Sequence, residues 1–574
     1  MKAISTKGII PNFPSPEFSF SFVTRVACEG IMILCCLVGI MASQAYATVE
    51  VGKYRTHQLV FTADGSPANP FDTYLLKLEI TDPAGKKFVI DGFFDGDGSG
   101  GQNGKIWKAR ITPYSTGTWF WRTVDGDAPD SGLNGLSGQF LCVESGDKGG
   151  VIGTGQHFQF QDGEFVYLQG DFLDGGGGLT QSNGPPYSTH VYMSENVSNS
   201  IRNTMIDRQR NFHAVNKMNV YFANDGDYGG NVPVTPWAGS QSSNDKNTMN
   251  LARWKLYDSY IQRFQDNKIF AEMWFFADDS KFGGLPKADK HRLIRYALAR
   301  TSAFSHSLYV IALEWAETWS QSAVTEAGNF FQAHNPWKRI VSVHNHTDWA
   351  FSGESWPSFI ATQVGNSATP QTVNAFATTM RNTESLPHLS EEYGLHDDNA
   401  TSGLLATFRE KSWANFLGGA AGGGTGYDHK ALLGFISQSR APFQQMSAAN
   451  NLVSNSGESP YALADVGHHY IVYNQSGSFS LTVSGNGLVG RWFDPRNPNA
   501  TLGNSFNVPS GTQTFTPPNS TSEDWVLWVS DGSNLNSGDL YPSVGGPMTQ
   551  EIIDSGSSGD TTPPSTPIGL SFQP

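Results

Sequence analysis

Hydrophobic and polar positions change their period twice along this chain. Between residues 48 and 150 the period is two: Leu76, Leu78 and Ile80 fall on one face, Lys77 and Glu79 on the other. The run Thr118-Trp119-Phe120-Trp121-Arg122-Thr123 keeps that period, with aromatic rings on both faces. Turn clusters such as Asp64-Gly65-Ser66-Pro67 and Asp82-Pro83-Ala84-Gly85 separate these runs at short spacing. That is the pattern of a small β-sandwich. Asp95-Gly96-Asp97-Gly98-Ser99-Gly100 has the acids of a calcium loop, but a loop counted from Asp95 needs Glu where Ile106 stands. A hairpin loop is expected there.

From 151 to 455 short apolar runs alternate with segments of helical period. Strands are expected at 165–168, 218–223, 269–276, 308–313, 339–343, 359–364 and 388–390, with a glycine-rich eighth at 418–426. Between them Leu251, Trp254, Tyr257, Ile261 and Phe264 share one helical face, as do Ile201, Met205, Phe212 and Val215. Pro286 opens a third helix through Leu293, Ala297 and Phe304. Alternating strand and helix implies an α/β fold with a parallel sheet, and eight repeats imply a (β/α)8 TIM barrel. A doubly wound sheet is the alternative, but Phe158 stands where the third glycine after Gly153 and Gly155 belongs. Residues 456–530 return to period two and predict a second β-sandwich. The tail, 531–574, has a linker composition and ends in a segment resembling the start of a fibronectin type III repeat.

The amino terminus stands apart. Gly30 to Met41 is an apolar run of about 12 residues, short of the roughly 20 that span a bilayer. Lys2, Lys7 and Arg25 precede it, and Ala45-Tyr46-Ala47 follows as a cleavage site of small residues. Residues 1–47 therefore read as a signal peptide, with a buried helix or an uncleaved anchor as alternatives. Export removes Cys28, Cys35 and Cys36 and leaves Cys142 alone, so no disulfide and no cysteine metal site are expected. The whole chain of 574 residues carries 15 Trp, 19 Tyr and 37 Phe, with only 16% charged residues and a net charge of −15. That composition excludes a disordered chain and argues against nucleic acid and anionic membranes as partners.

Barrel enzymes carry their chemistry at the carboxyl ends of the strands. The fourth strand runs into Leu313-Glu314-Trp315-Ala316-Glu317-Thr318-Trp319, and the seventh into Ser390-Glu391-Glu392-Tyr393-Gly394. Each end sets carboxylates beside aromatic rings. Glycosidic bond cleavage requires two such carboxyl groups, one to protonate the leaving oxygen and one to attack or to activate water. Trp274, Trp315 and Trp319 are candidate walls for sugar rings. Asp171, Asn224, Asp225, Asp278, Asp279, His344 and His346 follow other strands and are candidate contacts to sugar hydroxyls. His344-x-His346 offers two ligands without a clear third, so neither a metal nor a cofactor is expected.

The fourth- and seventh-strand segments resemble those of clan A glycoside hydrolases. Asn69-Pro70-Phe71-Asp72, Asp91 to Gly98 and Gly117-Thr118-Trp119 resemble the uncharacterised sandwich that precedes apiosidase-like barrels. Asp162-Gly163-Glu164-Phe165, Gly170-Asp171 and Val343-His344-Asn345 resemble that barrel, and Trp492 to Arg496 with Asp524 to Leu527 resembles a module named for collagen binding. The resemblance implies an exported enzyme acting with retention on a polysaccharide or oligosaccharide. It implies Glu392 as nucleophile, with Glu391 as the alternative and Tyr393 beside it; Glu317, at the end of the fourth strand, is taken as acid/base from its position, with Glu314 as the alternative. One departure stands out. The clan's Asn-Glu pair falls on Glu317 and Thr318 when aligned without gaps. A non-catalytic glycan-binding or adhesion protein is the rival reading, and protein binding through 456–530 a third.

Overall fold

The computed structural model describes residues 49–171, 215–223, 235–240, 243–277, 282–365, 367–393, 402–424, 429–518 and 522–537. The expected signal peptide, Ile201, Met205, Phe212, Asn224, Asp225, Asp278, Asp279 and residues 538–574 of the carboxyl-terminal tail lie outside them.

The amino-terminal part is the expected sandwich. One sheet orders its strands Glu50–Gly52, Ser137–Val143, Gly117–Val124, Lys77–Thr81 and Lys87–Asp91. The other joins His57–Thr62, Ile106–Ile111 and Phe93–Phe94. Alternation decides the faces: Leu78, Ile80, Trp119 and Trp121 are buried, whereas Phe120 between the two tryptophans is 48% exposed. The Asp95 loop closes on itself, with the Asp97 carboxylate accepting from the Ser99 and Gly101 amides.

The central part is a closed parallel barrel. Its strands are Leu168–Asp171, Lys217–Ala223, Phe270–Phe276, Ser307–Ala312, Val341–Ser342 continued by His344–Asn345, Ile360–Gln363, His388–Glu392 and Gly422–Gly423. Leu168 pairs with Gly422, which joins the first strand to the eighth. The eighth strand needs glycine, since a Cβ at Gly422 would lie 2.4 Å from the Leu168 carbonyl oxygen and 2.5 Å from the Leu389 side chain.

One expected strand is displaced. Phe165–Val166 pairs with His157–Phe160, which pairs with Val151–Thr154 in a small antiparallel sheet. Barrel pairing begins only at Leu168. A continuous apolar run cannot show where one sheet stops and the next begins. Val151, Phe158, Phe160 and Val166 pack with Leu168, Phe270, Leu308, Phe359 and Leu389, so this small sheet caps the amino-terminal end of the barrel.

Alternation sends the other strand residues outward. Val220, Phe222, Phe275 and Tyr309 pack on the helices and share one continuous core with Trp254 and Tyr296 and with Leu78, Trp107 and Trp119 of the sandwich. At that seam lies an ion cluster. Arg110 from the sandwich donates both Nη1 (2.8 Å) and Nη2 (2.7 Å) to Asp258 on the helix Leu251–Asp266. Arg300, on Lys287–Thr301, meets Asp258 at 2.7 Å and Asp95 of the sandwich at 2.7 Å. Burial alone would raise the Asp258 pKa, but the two guanidiniums outweigh it and hold the carboxyl well below the usual range.

The carboxyl-terminal sandwich pairs a six-stranded sheet with a three-stranded one. Its strands Ser447–Ala448 and Val453–Ser454 already belong to these sheets. Tyr461, Tyr473, Phe493 and Trp528 pack against Trp413, Phe416, Leu432 and Phe435 of the last two barrel helices. Arg409 and the Tyr473 hydroxyl both donate to Asp524, at 2.8 and 2.7 Å.

Replacing Asp258 with Asn leaves two buried guanidiniums short of a counter-charge, and such a break costs about 3–5 kcal/mol. Urea unfolding of D258N at pH 7 is expected to show a loss of that order. A carboxyl whose folded pKa is depressed stabilises above its unfolded value, and that stability goes as pH falls toward the folded value. The wild-type advantage over D258N should therefore be full at pH 6 and shrink only below about pH 4.

Candidate active site

Inside the barrel the second strand carries a lysine in an otherwise uncharged run. Lys217 is fully buried, and its Nζ donates to Glu272 Oε2 at 2.6 Å and Glu391 Oε2 at 2.7 Å, from the third and seventh strands. The Asn219 side-chain oxygen accepts at 3.2 Å. Glu272 and Glu391 are likewise fully enclosed. Burial opposes the charge on Lys217, but the two carboxylates prevail and hold its pKa above the usual lysine value. Burial and the nearby Glu272 push Glu391 well above the carboxylate range, against the pull of Lys217.

Above this layer stand aromatic and imidazole rings. Trp274 packs edge-on to Tyr221 at 5.8 Å and tilted against His344 at 5.2 Å. Burial, with the His346 and Lys217 charges adding to it, lowers the His344 pKa to about 3. His344 is neutral at ordinary pH.

The rim is assembled from the fourth, fifth, sixth and seventh strands. After Ala312 the chain turns sharply, and Glu314 takes φ 37°, a left-handed conformation in a residue with a side chain. Such a residue stores about 1–3 kcal/mol of strain, which its surroundings must hold. Here Gln363 Nε2 donates to Glu314 Oε1, and His346 Nε2 lies 3.8 Å from Glu314 Oε2. Gln363 Nε2 also lies 2.8 Å from His346 Nδ1. Trp315–Glu317 forms a single helical turn, and Glu317 is exposed at its end. One donor atom each from Glu314, Glu317 and His346 lies within 4.8 Å of the others. That spacing could seat a cation, and it also suits acid–base chemistry. In the seventh strand Glu392, partly exposed, pairs in register with Gln363. Gln363 thus reaches the acidic end of the fourth strand with its side chain and stands beside Glu392 of the seventh through its backbone.

Other expected residues fall elsewhere. Trp274, Trp315 and Trp319 are 0%, 9% and 5% exposed, so none presents an open ring face. Trp315 packs on Phe351 at 5.2 Å, and Trp319 lies under the Lys290 ammonium and against Phe276. Proximity to a glutamate in the sequence does not distinguish a sugar platform from a core ring. Tyr393 is buried, with its hydroxyl 3.4 Å from Gln169 Nε2 and 3.2 Å from Ser412 Oγ, toward the first strand and the helix Ser402–Leu417. His344 is enclosed while His346 reaches the surface, so the two do not form a pair. Asp171 ends the first strand in register with Met218. Lys217, Glu272 and Gln363 were not anticipated. A charged residue in a buried strand was the available signal for the first two.

Residues 50–125 match the family described as "Domain of unknown function (DUF5060)", and residues 448–530 match "Putative collagen-binding domain of a collagenase". No curated protein matches the chain by sequence. Among solved structures, one described as a "putative glycoside hydrolase from Bacteroides vulgatus ATCC 8482" superposes with a TM-score of 0.65 at 15% identity, covering 84% of this chain and 99% of its own. A glycoside hydrolase family 5 protein from the same organism gives 0.48 at 14% identity, covering 68% of this chain and 96% of its own. A β-mannanase from the blue mussel Mytilus edulis gives 0.33 at 13%, covering 49% and 91%. At these identities the first likeness establishes the architecture, a (β/α)8 barrel flanked by β-sandwiches, and the other two add nothing to it.

His344 should show no ring titration between pH 5 and 8. The check is its NMR ring signal, assigned by its loss in His344→Gln. A midpoint near 6.5 would mean that the ring is hydrated rather than enclosed.

Proposed function

We propose that this chain is a retaining glycoside hydrolase of the apiosidase-like clan A kind, exported by its first 47 residues and acting on a polysaccharide or oligosaccharide. The observation that carries the proposal is the gathering of Glu314, Glu317 and His346 at the end of the fourth strand, linked through Gln363 to the position of Glu392 at the end of the seventh. The barrel architecture shared with the Bacteroides vulgatus structure supports it. So do the matches of both flanking modules, in the order that the sequence resemblance implies.

Glu314 is engaged by Gln363 and faces His346, which leaves Glu317 as the carboxyl open to solvent. Glu317 is therefore assigned as the proton donor and Glu392 as the nucleophile. In the first step the Glu392 carboxylate attacks the anomeric carbon and forms an ester. The bond from that carbon to the leaving oxygen breaks, and Glu317 passes its proton to that oxygen. In the second step Glu317 takes a proton from water, whose oxygen attacks the same carbon. The ester breaks, Glu392 is free again, and the sugar leaves with its original anomeric configuration. No metal or cofactor enters either step.

The competing reading, a glycan-binding protein without turnover, draws on Thr318, which stands where the clan carries its catalytic Glu. Activity decides between the two. The chain is expected to release reducing ends from at least one member of a polysaccharide panel, with the first product in the substrate's anomeric configuration by NMR. Glu392→Gln should lower kcat at least about 1,000-fold, as loss of a nucleophile does. Glu317→Gln should lose about 100–10,000-fold on natural glycosides and far less on aryl glycosides, whose leaving groups need no proton. Binding of glycan without product release would favour the rival.

A further inference from the structure

The seventh strand contains one residue more than its neighbour requires. Ser390 pairs with Thr362 and Glu392 with the very next residue, Gln363, so Glu391 is an extra residue in the ladder. Such a bulge re-aims the side chains around it. Both sides of the strand are pinned at this point. The Val364 amide donates to the Glu392 carbonyl at 2.8 Å, and the Gly424 amide donates to the Ser390 carbonyl at 2.7 Å. Gly424 lies so close that a Cβ there would come within 2.1 Å of the Glu391 carbonyl oxygen. The Glu391 side chain points inward to the ammonium of Lys217, which also donates to the neighbouring Glu272.

We propose that Lys217 is a positioning residue: by gripping Glu391 between the second and third strands it holds the bulge, and the bulge sets Glu392 level with Gln363 at the mouth. The inference rests on the assignment of Glu392 as nucleophile. Glu391 is enclosed and engaged by Lys217, which favours Glu392 for that part. Its own role is to be held. The same interior contact bears on the donor side, because Gln363 is tied to Glu314. A slip at Glu391 would move Glu392 against Gln363 and loosen the acidic group of the fourth strand.

The test uses the full chain, an aryl glycoside that the wild type hydrolyses, and the matching 2-deoxy-2-fluoro glycosyl fluoride, which traps the glycosyl-enzyme. The wild type should be labelled on Glu392. Glu391→Gln keeps an oxygen for Lys217 and should stay within about fivefold of wild type in kcat. Glu391→Ala and Lys217→Met should each lower kcat about 100-fold with KM within about threefold, as a displacement of about 1 Å would, and slow labelling in proportion. Melting curves establish that these variants are folded. Should either fail to fold, Glu391→Asp keeps the carboxyl group, shortens the reach and should lower kcat about tenfold or more. Wild-type kcat and labelling rate in Glu391→Ala or Glu391→Asp, with Glu392→Gln inactive, would overturn the inference and leave the nucleophile assignment standing. Label on Glu391, or full turnover by Glu392→Gln, would remove both.

Discussion

An ammonium group sealed between two carboxylates at the centre of the barrel is the constraint around which the mouth is arranged. Taking such ions out of water costs several kcal/mol each, and the attraction between them offsets this only when the geometry is tight. The contacts of Lys217 to Glu272 and Glu391 meet that demand, drawing on three strands at once. Hydrophobic side chains could fill the same space without requiring any one register. A three-strand ion cluster does require one, because each partner must arrive at the same depth.

The outer architecture rests on a different principle. Two sandwiches press on the barrel through cores that do not stop at domain edges. The amino-terminal one shares its core with the barrel helices and adds the Arg110, Arg300 and Asp258 cluster at the seam. The carboxyl-terminal one buries Tyr473 and Phe493 against Trp413 and Phe435. Apolar burial supplies the adhesion here, and the ion pairs set orientation.

The sequence was informative where a pattern repeats and silent where one contact decides. Seven barrel strands stand within a few residues of where periodicity put them, because alternation and length carry that information. The first was displaced because Phe165 to Leu168 serves two sheets in succession. The eighth was legible from its glycines, whose reason is the pressure of Leu168 and Leu389. At the site, Glu314, Glu317 and Glu392 were visible as acids at strand ends. The left-handed turn at Glu314 was not, since no glycine marks it. Gln363 was overlooked because an amide looks ordinary until its three neighbours are known. The tryptophans misled in the other direction: a ring near an acid in the sequence packs on other rings in space.

The small antiparallel sheet beneath the barrel gives the molecule a direction. Val151, Phe158, Phe160 and Val166 close the amino-terminal end, with Phe160 on Phe270 and Phe158 on Phe359. The barrel is a blind well rather than a tunnel. The carboxyl groups at the strand ends stand at the other end, so the sealed side offers no path to them.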